Sequence, residues 1–168
     1  DMWSEIGYDE FPKTWDELLD AVDKFKEEGV TAFVMGNKPN WPAESCWLST
    51  LGDRFTGTDW TRSILNGDGA QFTDEQFVKA LTCFQELADR GAFNVDINSI
   101  DDQEQQTVYF NKKAAAIANG TWFIPTVNTA APDDVKAATK LAVLPAVDGG
   151  SDNQNTVSGG CVWVTSLS

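Results

Sequence analysis

The sequence predicts an α/β fold in which helices pack around a small mixed sheet, and three observations carry that prediction. Two stretches place apolar residues at helical spacing and close on a glycine, at residues 15–29 and 77–91. Short apolar runs of strand length lie between the helical patterns, at residues 31–35, 114–118, 141–144 and 161–165. The chain contains no internal repeat at a fixed period, which removes solenoids and propellers. Helices that alternate with short strands favour a layered arrangement over a bundle or a sandwich.

Met2 and Trp3 sit on the approach to a helix. The first well-marked helix begins after Thr14, because Thr14 followed three residues later by Glu17 is a capping box. Trp15, Leu18, Leu19, Val22 and Phe25 form its apolar stripe, and Gly29 stops it. Thr31-Ala32-Phe33-Val34-Met35 reads as a buried strand ending at Gly36, and residues 37–42 as a loop that sets Trp41 between two prolines. A helix is expected over residues 44–51, with Trp47 and Leu48 inward and Gly52 as its end. Residues 53–69 are polar and turn-rich, and read as surface pinned by Trp60 and Ile64. A second capping box, Thr73-Asp74-Glu75-Gln76, opens the helix whose stripe is Phe77, Ala80, Leu81, Phe84, Leu87 and Ala88.

After a polar turn a third helix is expected over residues 102–110. It delivers the chain to Ala114-Ala115-Ala116-Ile117-Ala118, a short buried strand that ends in Asn119-Gly120 and presents Trp122 at its tip. Residues 125–131 read as irregular or a short helix, and residues 133–138 as one or two helical turns. Residues 141–144 read as a strand stopped by Pro145. Ser158-Gly159-Gly160 leads into a last strand over residues 161–165.

At 168 residues the chain is long enough for one domain with a full core. Its 42% hydrophobic and 23% charged fractions are those of an ordinary globular protein, and no apolar run approaches the roughly 20 residues that span a membrane. Twelve basic against 26 acidic side chains give a net charge of -14, which argues against nucleic acid as a partner, since phosphate contacts depend on Lys and Arg. The chain has no histidine, so the commonest general base is missing. Cys46, Cys83 and Cys161 are far apart and odd in number, and read as buried free thiols rather than a zinc site or a disulfide framework. Asp96, Asn98, Asp101 and Asp102 lack the glycine and terminal glutamate of an EF-hand loop, and read as a solvated cap. No metal or cofactor is indicated. The first residues lack a secretory signal pattern, and both ends look abrupt, as in a piece cut from something longer.

The order of four stretches resembles the second lobe of a bacterial extracellular solute-binding protein, in the sugar-binding, maltose-binding-like family that serves ABC importers. These are Asp1-Met2-Trp3 leading to Pro12-Lys13-Thr14-Trp15-Asp16-Glu17-Leu18, residues 31–47, residues 110–122, and Leu144-Pro145 followed by Ser158-Gly159-Gly160. The resemblance implies two lobes joined by a hinge, a ligand held between them, and closure read by a membrane permease. It implies that residues 1–168 are the second lobe alone, without the first lobe or the closing helices. The implied protein is a monomer that captures a sugar or oligosaccharide, at the outer face of the cell membrane through a lipid anchor or in the periplasm, without catalysis.

The resemblance places aromatic platforms at Trp41 and Trp122. The physical case stands beside it: a sugar has an apolar face of C–H groups and a polar rim, which suits a flat side chain with amide or carboxylate partners at its edge. Asn37, Lys38, Asn40 and Glu44 are candidate rim partners, or ordinary solvated loop residues. Gly159 and Gly160 would let backbone approach a cleft, or simply form the turn before a strand. Trp3, Trp15 and Trp47 are assigned to packing, and Trp122 itself could be core. Two rival functions remain: a carbohydrate hydrolase with Glu44 as the nearest carboxylate, and a structural or interaction domain with tryptophans as anchors. Asn119-Gly120-Thr121 matches a glycosylation acceptor and reads as a turn.

Overall fold

The structure, a computed structural model, describes residues 2–154. After the short helix α1 (Met2–Glu5), helix α2 (Trp15–Glu27) starts at Thr14, whose side chain accepts from the Glu17 N–H while the Glu17 carboxylate accepts from the Thr14 N–H. This is the predicted capping box, and the predicted stripe is the buried face: Trp15, Leu18, Leu19, Val22 and Phe25. Strand β1 (Thr31–Val34) follows directly.

The chain then makes a long excursion. A π turn (Pro42–Leu48) runs into α3 (Ser49–Thr56), followed by α4 (Thr58–Asn66), α5 (Glu75–Arg90) and α6 (Asp102–Phe110). It returns as β2 (Ala114–Ile117), parallel to β1 with Thr31 opposite Ala114, Phe33 opposite Ala116 and Val34 opposite Ile117. Parallel pairing requires such a crossover. Helices α7 (Phe123–Ala130) and α8 (Asp133–Ala138) follow.

Among the described residues the sheet has two strands, extended at Phe33 by a parallel bridge to Phe93; a separate isolated bridge joins Thr14 and Ala146. The pairing there is parallel, where the sequence predicts a mixed sheet. The predicted strand over residues 161–165, with Cys161, Gly159 and Gly160, lies outside the described residues.

Four local expectations are corrected. Gly52 does not end a helix; it lies inside α3, buried, where an added methyl group would come within 3.4 Å of the Phe77 ring. Its small size serves the contact of α3 with α5 rather than a stop. Residues 53–69 are mostly helical, because the true breaks are Gly57 and Gly67, both at positive φ (77° and 73°). The expected anchoring by Trp60 is present: its ring stacks on Phe77 at 5.1 Å and 10°.

The second capping box does not form. The N-cap of α5 is Asp74, and its carboxylate accepts instead from the Trp60 indole (2.8 Å) and the Gln71 N–H (3.0 Å). Residues 141–144 are not a strand, and Leu141 and Val143 are exposed. The buried Arg54 guanidinium donates to the Leu144 and Pro145 carbonyls, which occupies acceptors that a neighbouring strand would need, and Pro145 has no N–H to offer.

The main core gathers Leu18, Phe25, Phe33, Trp47, Leu51 and Leu87 between α2, β1 and the π turn with α3 and α5. Trp47 sits edge-on to both Phe33 (5.0 Å) and Phe93 (5.1 Å). Trp3 and Trp15 also pack into this cluster, as expected. A second cluster of Phe123, Val127, Ala131 and Val135 closes under Tyr109, Phe110 and Ile117. Cys46 and Cys83 are free thiols, half-buried rather than fully buried. Burial raises both thiol pKa values to about 11, helped at Cys46 by the Asp102 charge and at Cys83 by Glu86.

Candidate functional site

Two parallel strands point their carboxyl ends the same way, so the loops that follow them emerge side by side. In open α/β sheets this rim is where ligands bind. The loop after β1 carries Asn37, Lys38, Asn40 and Trp41; the loop after β2 carries Asn119, Gly120 and Trp122.

The first loop is held by its backbone. Met35 N–H donates to Asn94 Oδ1 (2.8 Å), Gly36 N–H to Gln105 Oε1 (2.8 Å), Asn37 N–H to the Ile97 carbonyl (2.6 Å) and Lys38 N–H to the Ile100 carbonyl (3.1 Å). The loop turns at Asn40, which adopts φ 68° in the left-handed region that asparagine tolerates. Trp41 then stands at the head of the π turn.

The second loop is a tight turn. Asn119 Oδ1 accepts from the Gly120 N–H (2.9 Å), while its Nδ2 donates to Asp102 Oδ1 (3.3 Å). The Gly120 carbonyl accepts from the Phe123 N–H (2.9 Å), and Trp122 caps the start of α7.

These loops bring Trp41 and Trp122 together, with ring centroids 5.7 Å apart and planes inclined at 66°. Trp122 is 59% exposed and Trp41 half-buried, so neither is a core residue. Lys38, Asn40 and Glu44, in the loop and turn next to Trp41 in sequence, are exposed. Asn37 has a different position in the scheme: its Oδ1 accepts from the Ala43 N–H (3.1 Å) and its Nδ2 donates to Asn98 Oδ1 (3.1 Å), so it braces the loop. Gly159 and Gly160 lie outside the described residues.

Sequence reasoning missed the support beneath this rim. Gln105, fully buried, links Gly36 to Asp102: it accepts from the Gly36 N–H and donates through Nε2 to Asp102 Oδ1 (2.6 Å). Gln106 Nε2 donates to the other Asp102 oxygen (2.7 Å). The signal was present as Asp101-x-x-Glu104, a capping box that the structure forms and that fixes the start of α6. Among the described residues no group of three His, Cys, Asp or Glu side chains could hold a metal ion. No helix there is long and apolar enough to cross a membrane. Chemically the rim offers a flat exposed indole and a second indole at an angle to it, with exposed amide, ammonium and carboxylate side chains nearby in sequence. That combination suits a ligand with an apolar face and a hydroxyl-rich periphery.

The family described as bacterial extracellular solute-binding protein matches residues 1–166. An uncharacterized ABC transporter extracellular-binding protein of Pyrococcus horikoshii is 28% identical over 113 residues, which cover 66% of this chain and 24% of that protein. The fold is similar to a structure described under "Biochemical and structural insights into xylan utilization by the thermophilic bacterium Caldanaerobius polysaccharolyticus". There the TM-score is 0.79 and the identity 28%, over 89% of this chain and 37% of that one. It is also similar to a chitin oligosaccharide binding protein, with TM-score 0.80 and 20% identity over 88% of this chain and 36% of that one; that likeness concerns the fold alone. The chain therefore spans between about a quarter and two-fifths of the length of the relatives it matches.

Proposed function

Because this chain belongs to the family of bacterial extracellular solute-binding proteins, we propose that Trp41 and Trp122 form one wall of a sugar or oligosaccharide site in the capture component of an ABC import system. The observation that carries this reading is the pair itself: two indoles 5.7 Å apart on the carboxyl rim of a parallel sheet, Trp41 half-buried and Trp122 open to solvent. An indole face covers the C–H face of a pyranose, and the exposed Lys38, Asn40 and Glu44 would meet the hydroxyls that project at its edge. Asn37 acts by holding the loop.

In this proposal residues 1–168 are one lobe of a two-lobed protein, the ligand lies between the lobes, and closure around it is what an ABC permease in the membrane reads. The protein works as a monomer, without catalysis or a cofactor, at the outer face of the cell membrane or in the periplasm, where a lipid anchor would retain it. The 28% identical neighbour described under xylan utilization adds support for the sugar class.

The test is a sugar screen by thermal shift and calorimetry on the full-length protein, with maltose, xylotriose and chitotriose as probes. Trp122→Ala is expected to weaken the best binder by about tenfold or more, the equivalent of roughly 1.4 kcal/mol. A thermal shift that survives Trp122→Ala undiminished removes Trp122 from the site. Turnover of chromogenic glycosides that disappears in Glu44→Gln would replace the binding function with a hydrolytic one.

A further inference from the structure

The geometry points to Gly120 as the positioning residue of the Trp122 platform: the space left by its missing side chain is the seat on which the indole lies. This rests on the reading of Trp122 as a ligand platform, and it adds the residue that aims it. A Cβ placed on Gly120 would fall well inside contact distance of Cη2, Cζ3 and Cε3 of Trp122, all atoms of the six-membered ring. The six-membered ring of the indole therefore lies against the Gly120 backbone, and Trp122 is nonetheless 59% exposed.

Gly120 is not a glycine of conformational necessity. It is absent from the residues at positive φ, which include Gly57, Gly67 and Gly91, so a left-handed backbone is not what calls for glycine there. The three heavy atoms nearest to a side chain there all belong to the Trp122 ring.

The turn cannot move aside to relieve the contact. Asn119 Oδ1 holds the Gly120 N–H, Asn119 Nδ2 is held by Asp102, and Asp102 is fixed by Gln105 and Gln106 from α6. On the far side the Gly120 carbonyl takes the Phe123 N–H at the start of α7. A methyl group at residue 120 would thus displace the indole rather than the backbone. The displaced ring would leave its 5.7 Å contact with Trp41.

The test uses the full chain and a signal that sugar does not enter. Two neighbouring indoles give an exciton couplet in far-ultraviolet circular dichroism, and the Trp41–Trp122 contribution is defined by its loss in Trp41→Phe and in Trp122→Phe. Gly120→Ala is expected to remove that contribution as fully as Trp122→Phe does. It should also weaken binding of whichever of maltose, xylotriose or chitotriose the protein takes, by roughly three- to tenfold, the range of an aromatic contact. A couplet unchanged in Gly120→Ala overturns the assignment. Loss of the couplet with no change in sugar affinity upholds the seat and counts against the sugar site instead.

If Gly120→Ala fails to fold, the comparison moves to Gly120→Ala in a Trp122→Ala background. Trp122→Ala removes the three atoms nearest to the added methyl, so the double variant should match Trp122→Ala in stability. A double variant less stable than Trp122→Ala overturns the proposal.

Discussion

The backbone N–H of Gly36 donates to the side-chain oxygen of Gln105 at 2.8 Å, 69 residues away in sequence, and Gln105 has no solvent-exposed surface. This bond ties the end of β1 to the first turns of α6. Gln105→Leu would keep the volume and remove the acceptor, leaving a buried N–H unsatisfied. The expected loss of stability is about 1–3 kcal/mol by urea denaturation. A variant as stable as the parent would mean that another group takes over the Gly36 N–H.

Gly36→Ala tests the same junction from the other side. A Cβ there would strike the backbone carbonyl of Asp101, the N-cap of α6, and a backbone atom cannot rotate away. The expected cost is about 1–3 kcal/mol, the range for overpacking. Retention of full thermal stability would show that α6 can shift away from β1.

Arg54 is a buried cation that serves backbone. Its Nε donates to the Pro145 carbonyl at 3.0 Å and its Nη2 to the Leu144 carbonyl. Arg54→Met is expected to cost about 2–3 kcal/mol, and to expose residues 141–145 to protease. Arg54→Lys should rescue little, because one ammonium cannot reproduce two donors set in a fork. Limited proteolysis that leaves this segment intact in both variants would count against the guanidinium as its anchor.

Asp74 gives a pH dependence whose sign is fixed. The Gln71 N–H and then the Trp60 indole hold its carboxyl below the ordinary value of 3.8. A carboxylate with a lowered folded pKa adds stability that is fully present above its unfolded pKa and is lost as pH falls through the folded one. Asp74→Asn should therefore destabilise the protein at neutral pH and flatten the decline of stability below about pH 4. Parallel curves for parent and variant over that acid range would remove Asp74 from the cause.

Cys46 and Cys83, with pKa values of about 11, are expected to alkylate slowly at neutral pH and faster as pH rises toward 11 or on unfolding. The measurement is iodoacetamide labelling in a Cys161→Ser background. Labelling at the rate of a free thiol at pH 7 would contradict the burial of both sulfurs.

Much of the fold was legible where local chemistry and tertiary need agree. The Thr14 capping box and the α2 stripe behave as their patterns state, and the alanine strand β2 forms, although of its residues only Ala114 is fully buried. The failures share a cause. Gly52 and the Thr73-x-x-Gln76 pattern carry local signals that a distant aromatic overrides: the Phe77 ring claims the surface of Gly52, and the Trp60 indole claims Asp74. Residues 141–144 have strand composition, but a guanidinium from α3 occupies their acceptors. At the rim, the family resemblance places platforms at Trp41 and Trp122, and the structure brings their rings to 5.7 Å. Gln105, Asp102 and Gly120 could not be named from sequence, since their roles exist only once β1 and β2 lie side by side. Asn37 was legible as a loop residue, but its bonds to Ala43 and Asn98 make it a brace rather than an open edge.

The π turn at Pro42–Leu48 begins beside Trp41 and ends against the buried Trp47 region, with the Ser49 N–H reaching back to the Glu44 carbonyl. Trp47, in the main core, lies inside the same seven-residue turn that Trp41 heads. One short segment thus serves the rim at its start and the core near its end, so a change in its length would disturb both together.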